Sequence, residues 1–303
     1  MNILVGNSGL VGSNLAEQYD YDGLFRRSNI AQAYGLRPNL CVYAGMPAQK
    51  FLANRNPSHD RQALEGAIEN LRRIAPKRVV LISTIDVFCN PAGADETAEV
   101  CTQTLTPYGL HRYELEQWLR QNIDDYCIIR LPALLGKNLK KNFLFDLIHL
   151  IPSMLSSEKF AALDDIARPY YTLSENDMYT LKPLSAQEKI QLRNYFEHAS
   201  FNAMHFTDSR ATFPFYDLKH LWHHIELAMR EGLHLLHCAT QPLAASEVVR
   251  AVKGEYFTNE LPSRVPYYDF KTIHADIFGG ANGYMFNKTQ VLNDILSFYE
   301  SNK

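Results

Sequence analysis

The sequence predicts an α/β chain built on a doubly wound parallel sheet, on three observations. A β-prone apolar run, Ile3-Leu4-Val5, enters the turn Gly6-Asn7-Ser8-Gly9-Leu10-Val11-Gly12 and leaves it as a helix. In a strand–turn–helix of this kind, the N–H groups that open the helix can hold a pyrophosphate. Further on, Val79-Val80-Leu81-Ile82 is apolar without alternation, as a strand covered on both faces must be. Finally, the glycine loop, Ala44, Thr84 and Pro132 all fall at the carboxyl ends of predicted strands, which is where open parallel sheets bind ligand.

Each glycine of the opening loop has its own task. Gly6 lets the chain turn off the strand, Gly9 lets backbone approach a phosphate, and Gly12 lets helix pack on strand. A short helix, about Ser13 to Gln18, leads to Tyr21–Asn29, read as a second strand with Arg26, Arg27 and Ser28 at its end. An enzyme choosing NAD places a carboxylate there on the ribose 2′-hydroxyl, whereas a 2′-phosphate calls for fork-shaped cationic donors. Arg26 and Arg27 therefore favour NADP(H) over NAD(H); the alternative is two solvated arginines, with Asp20 and Asp22 nearby. Leu40–Ala44 is the third strand, and the small residues Ala44 and Gly45 leave room for a cofactor passing over its end. A helix over about 60–75 carries Leu64, Ala67, Ile68 and Leu71 at core-facing spacing.

The spacing Gly6-x-x-Gly9-x-x-Gly12 departs from the Gly-x-Gly-x-x-Gly of many dinucleotide-binding dehydrogenases. It resembles the short-chain dehydrogenase/reductase superfamily, specifically the extended branch that modifies nucleotide sugars. Two stretches match that superfamily's active site in order and separation. Ser83-Thr84-Ile85-Asp86-Val87-Phe88 resembles the strand end whose hydroxyl, here Thr84, bonds the substrate oxygen. Pro107-Tyr108-Gly109-Leu110-His111-Arg112 resembles the helix bearing the catalytic Tyr-x-x-x-Lys, with Arg112 where the lysine stands. A spacing of four puts Tyr108 and Arg112 on one helical face. To act as a base near neutrality, a tyrosine must lose roughly 3 of its pKa of about 10. A unit charge about 5 Å away supplies roughly 3 kcal/mol toward this at an effective dielectric near 20, and the positive nicotinamide of an oxidised cofactor would supply the rest. Arginine can supply that field and, with its fork, hold ribose hydroxyls, but it releases no proton.

The resemblance also bears on the reaction. Dehydratases of the branch carry Thr-Asp-Glu where this chain has Thr84-Ile85-Asp86, which disfavours dehydration and leaves reduction or epimerisation through a ketone. Tyr126–Gly136 resembles the next strand and the turn over the nicotinamide, at Pro132. Lys137, Lys140, Lys141 and Asn142 then stand where the branch begins its substrate-binding segment, and Arg210 stands near its diphosphate site. With Asp86 they are the candidate substrate contacts, and they imply an anionic substrate, a nucleotide sugar; the alternative is a solvated basic loop.

The remaining features bound the answer. With 303 residues, 46% hydrophobic and 21% charged, the chain can bury a sizeable core and is not generally disordered. A net charge of −3 gives no nucleic-acid footprint. No apolar run of membrane-spanning length and no basic, cleavable leader is seen, so a cytoplasmic protein is expected. Five scattered cysteines without a C-x-x-C pair read as reduced thiols. His220 and His224 lie at helical spacing but lack a third ligand nearby, so no metal is expected. The expected organisation is a Rossmann-type domain over 1–150 and a smaller, mainly C-terminal substrate lobe over 151–303, with about 213–250 returning to the core. The resemblance implies an oxidoreductase or epimerase, dimerising by helix pairing. A redox-silent cofactor sensor or partner-binding protein of the same fold is the alternative, because arginine replaces the lysine.

Overall fold

Strand β1 (Asn2–Val5) runs into the glycine turn and helix α1 (Leu10–Gln18), which starts three residues earlier than expected because Gly9 is already its cap. The computed structural model describes residues 1–174 and 177–303. After β2 (Gly23–Phe25) come β3 (Leu40–Tyr43), α2 (Lys50–Arg55) and α3 (Pro57–Ile74). Next are β4 (Arg78–Thr84), α4 (Pro107–Asn122) and β5 (Asp125–Leu131). Helix α2 carries no apolar periodicity that would mark it in the sequence.

With a sixth strand, Leu235–His237, these form one parallel sheet in the order Leu235–His237, β5, β4, β3, β1, β2. Consecutive residues serve opposite faces. Leu4, Val42, Val80 and Ile129 pack with Leu15, Trp222 and Leu236, while Ile3, Cys41, Val79 and Leu81 pack with Leu64, Leu71 and Leu115. Burial on both faces is why these strands show no alternation. Between β2 and β3 the chain makes only the 3₁₀ turn Ile30–Ala33, so β2 is the sheet's edge. The winding reverses at β1, which lies between β2 and β3, and this switch point opens a crevice at the carboxyl ends of the strands.

The chain divides into two compact units. One comprises Met1–Leu139, Thr212–Leu243 and Pro266–Ile295, the other Lys140–Ala211, Ala244–Val265 and Leu296–Lys303. The division thus falls at 139 rather than near 150, and the returning chain includes a second segment, 266–295. The helix Phe143–His149 buries Phe143, Leu144, Leu147 and Ile148 within the second unit, where Leu150 O also accepts from Ala203 N–H. That unit further holds the antiparallel strands Met154–Leu155, Tyr179–Leu181 and Tyr171–Leu173. Its helix Ala186–His198 opens on the Ser185/Glu188 capping box expected from the sequence. Among the described residues, no helix is long and apolar enough to cross a membrane.

Candidate active site

The glycine loop is shaped by what its α-carbons touch. Gly6 has φ +95°, and a Cβ there would stand 2.3 Å from Ala44 O. One on Gly12 would stand 2.1 Å from Gly6 O. Neither position admits a side chain, because β1, β3 and α1 meet there backbone to backbone. A Cβ on Gly9 would meet nothing closer than 3.5 Å, so this glycine faces the crevice at the start of α1, whose first N–H groups have no partner within the helix.

A cavity of about 580 Å³ fills the crevice. Gly6, Ser8, Gly9, Leu10 and Val11 line it at β1; Arg26 and Arg27 at β2; Ala44 and Gly45 at β3; Thr84, Tyr108, Arg112 and Pro132 complete the wall. The structure therefore brings together every candidate cofactor or catalytic residue except Asn7 and Gly12, which do not line the cavity. Arg26 Nε donates to Ser28 Oγ at 3.2 Å. Asp22, the nearby carboxylate, instead accepts from Asn2 N–H at 2.6 Å, before β2 begins. Gln62, Ala63, Gly66 and Asn70 of α3 also line the cavity. They were missed because the apolar stripe of α3 marked it as a core helix; the small residues beside that stripe are the signal that could have found them.

At the other end, β4 finishes at Thr84, whose Oγ1 accepts from Asp86 N–H at 3.2 Å in the turn Ile85–Val87. The hydroxyl hydrogen stays available to a ligand. Helix α4 presses against this turn, since a Cβ on Gly109 would lie 2.0 Å from Asp86 O. Tyr108 is 9% exposed, and the Arg112 guanidinium lies 3.7 Å from its ring centroid. Arg112 Nη1 donates to Asp60 Oδ2 at 2.6 Å and to Tyr108 O at 3.0 Å, and Nη2 donates to Pro47 O. Three of the five guanidinium hydrogens are thus committed to protein, which narrows the ribose-holding role expected for the fork.

The protein's own groups do not lower the Tyr108 pKa. Burial pushes the phenol above its ordinary value; Arg112 and Lys50 pull it down, Asp86 and Asp60 push it up. With two cations opposed by two carboxylates, desolvation decides the sign.

Behind Thr84 lies a buried network that the sequence reading did not contain. Ser83 Oγ donates to Glu116 Oε1 at 2.5 Å, and Arg130 grips the same carboxylate through Nε at 3.0 Å and Nη2 at 2.6 Å. Arg130 Nη1 then donates to His237 Nε2 at 3.1 Å. These contacts tie β4, α4, β5 and the sixth strand together behind the cavity wall.

The candidate substrate residues are dispersed. Asp86 accepts from Lys50 Nζ at 2.6 Å, and Lys137 pairs with Glu17 at 2.5 Å in solvent. Lys140, Lys141, Asn142 and Arg210 belong to the second unit. There burial lowers the Lys141 pKa, Asn142 caps the helix Phe143–His149 by accepting from Phe145 N–H, and Arg210 pairs with Asp208 and Glu260. Of the histidines, His220 pairs with Asp294 at 3.0 Å and His224 bonds Tyr216 Oη at 2.8 Å. Among the described residues, no group of three or more histidine, cysteine, aspartate or glutamate side chains is placed to hold a metal.

No family model matches the chain, and no curated protein matches it. Its fold is nevertheless a known one, a Rossmann-type parallel sheet with flanking helices. Among solved structures, it is similar to dTDP-4-dehydrorhamnose reductase from Bacillus anthracis in complex with NADP, at 16% identity over 99% of each chain and a TM-score of 0.65. UDP-glucose 4-epimerase from Thermotoga maritima, with UDP-glucose, matches at 13% identity over 99% of each chain and a TM-score of 0.65. The Bordetella bronchiseptica enzyme WbmG, in complex with NAD and UDP, matches at 13% identity over 99% of this chain and 93% of its own, with a TM-score of 0.63.

Proposed function

We propose that the chain is an NADP(H)-dependent oxidoreductase or epimerase acting on a nucleotide-activated sugar through a keto group. One observation carries the reading: the glycine loop, Arg26 and Arg27, Thr84 and Tyr108 line a single cavity at the sheet's switch point. The residues present fit a nicotinamide dinucleotide, because the loop excludes side chains from the backbone at Gly6 and Gly12 and leaves Gly9 open.

Gly9 and the start of α1 would hold the diphosphate, and Arg26 and Arg27 the 2′-phosphate. The bound nicotinamide supplies hydride transfer. Tyr108 donates the phenolic proton to the substrate's carbonyl oxygen in reduction and recovers it in oxidation. Thr84 donates a hydrogen bond to the same oxygen, and Arg112, fixed by Asp60, stabilises the phenolate. Ile85 and Asp86 in place of an adjacent acid and base argue against dehydration. Lys137, Lys140, Lys141, Asn142 and Arg210 remain the candidate contacts for an anionic substrate, and the second unit is assigned to substrate selection. A cytoplasmic location and a homodimer belong to the same proposal.

Titration with NADPH and with NADH, followed by nicotinamide fluorescence, tests the cofactor; tighter NADH binding refutes the role of the arginines. Turnover of 4-keto nucleotide sugars tests the reaction, with loss of activity expected in Tyr108→Phe. The raised phenol and the committed Arg112 favour a second reading, a redox-silent cofactor sensor. Equal inactivity of wild type and Tyr108→Phe across a broad panel supports it.

A further inference from the structure

Helix α2 brings a second cation to the turn on which the first turn of α4, with Tyr108, is packed. Lys50 and Asn54 stand four residues apart, on one face of α2. Asn54 Oδ1 accepts from Tyr108 N–H at 3.0 Å, so this face docks on the first turn of α4. Lys50 Nζ donates to Asp86 Oδ1 at 2.6 Å and to Tyr268 Oη at 3.4 Å. Asp86 in turn presses its carbonyl on Gly109, the residue after Tyr108. The Tyr108–Gly109 step is therefore gripped from two sides, by Asn54 and by Asp86, and the Lys50 ammonium bridges the elements that grip it.

The two cations differ in freedom. Arg112 is 4% exposed at its side chain and anchored by Asp60, which also bonds His111 Nδ1 at 2.7 Å. Lys50 is 42% exposed at its side chain and carries one strong partner. An ammonium with solvent on one side can shift toward a charge forming beside it; a buried, stacked guanidinium cannot.

We propose that Lys50 is a positioning residue for the acid–base step at Tyr108: held by Asp86 and Tyr268, its ammonium shares with Arg112 the countercharge of the phenolate. Asp86 opposes it, so the Lys50–Asp86 pair sets how readily Tyr108 ionises. The proposal rests on the acid–base role given to Tyr108 above. Among the described residues, the charged groups acting on the phenol are Arg112 from α4, Asp86 from the turn after β4, Lys50 from α2 and Asp60 from α3; His111 bonds Asp60 and Tyr268 bonds Lys50.

Replacing Tyr108 alone by 3,5-difluorotyrosine, which ionises near neutrality, lets ¹⁹F NMR follow its titration in the free protein, without cofactor or substrate. Lys50→Gln should raise the midpoint by about one pH unit, the field of a unit charge within about 10 Å at an effective dielectric near 20. Lys50→Arg should restore it, and Asp86→Asn should lower it. A purely structural Lys50 would not shift the midpoint in opposite directions in the two neutralising variants. An unmoved midpoint in Lys50→Gln overturns the proposal. Should that variant fail to fold, Asp86→Asn decides: a lower midpoint supports the proposal, and an unchanged or higher one overturns it. Because the readout needs no turnover, the two readings fail separately. Moved midpoints without NADPH binding sink the enzyme but keep the charge pair, while turnover with unmoved midpoints does the reverse.

Discussion

The glycine end of the site is shaped by close backbone packing, whereas the Tyr108 end is shaped by side chains set among opposed charges. Gly6 and Gly12 work by having no side chain, and what they touch is the main chain just past the ends of β1 and β3. Tyr108 is set between Arg112 and Lys50 on one side of the balance and Asp60 and Asp86 on the other. A backbone-built site is decided by local spacing. A charge-built site is decided by which helices bring which ions together, and a single exchange such as arginine for lysine rebalances it without removing it.

The contrast breaks most sharply behind Thr84. Glu116→Ala would leave Arg130 buried without its carboxylate, and chemical denaturation should show a loss of about 3–5 kcal/mol. Unchanged stability would mean that ions do not hold this end together. At the glycine end, Gly12→Ala drives a methyl into Gly6 O and should cost about 1–3 kcal/mol. A loss of about 1.4 kcal/mol there, carried into binding, would weaken NADPH affinity roughly tenfold. Retained affinity would show that the backbone contact is not what shapes this end.

Acid should sharpen the contrast further. Burial pushes the pKa of His237, which belongs to the charged network, down, and that of His224 down to about 3. As pH falls below the ordinary histidine value of about 6.5, the unfolded chain binds these protons and the folded protein does not. Stability is therefore fully present above that value, and each histidine removes about 1.4 kcal/mol per pH unit on the way down to its folded pKa. Asp146 of the second unit, pushed up to about 7 by burial, acts in the opposite sense over the same range. With His149 also lowered by burial, three histidines against one aspartate leave the net slope positive. Thermal unfolding at stepped pH should show stability falling on acidification, more steeply in Asp146→Asn and less steeply in His224→Phe.

The same division separates what was legible in the sequence from what was not. The strand–turn–helix, the glycine spacing and Arg26 after β2 follow from neighbours within a dozen residues, and the structure assembles them around one cavity. The unalternating run Val79–Ile82 announced a strand buried on both faces, and it is one. Helix α2 was missed because six residues without an apolar stripe give no periodic signal. Lys50 and the Glu116–Arg130–His237 chain were missed because their partners are up to 218 residues away. The direction of the Tyr108 pKa was missed for a related reason: the arginine four residues on is visible in sequence, whereas the two carboxylates and the burial that oppose it are not.

By itself, then, the sequence determined the parallel α/β core, the glycine turn at the end of β1 and the placing of Thr84 and Tyr108 at one end of the sheet, because short-range spacing and side-chain size dictate them. Only the tertiary structure decided where the sheet ends, that Arg112 is already tied to Asp60 and Pro47, and that Lys50 pairs with Asp86 at the turn on which α4 packs. Those are sums of long-range contacts, and burial and charge at Tyr108 acquire a sign only when α2, α3, α4 and the turn after β4 have come together.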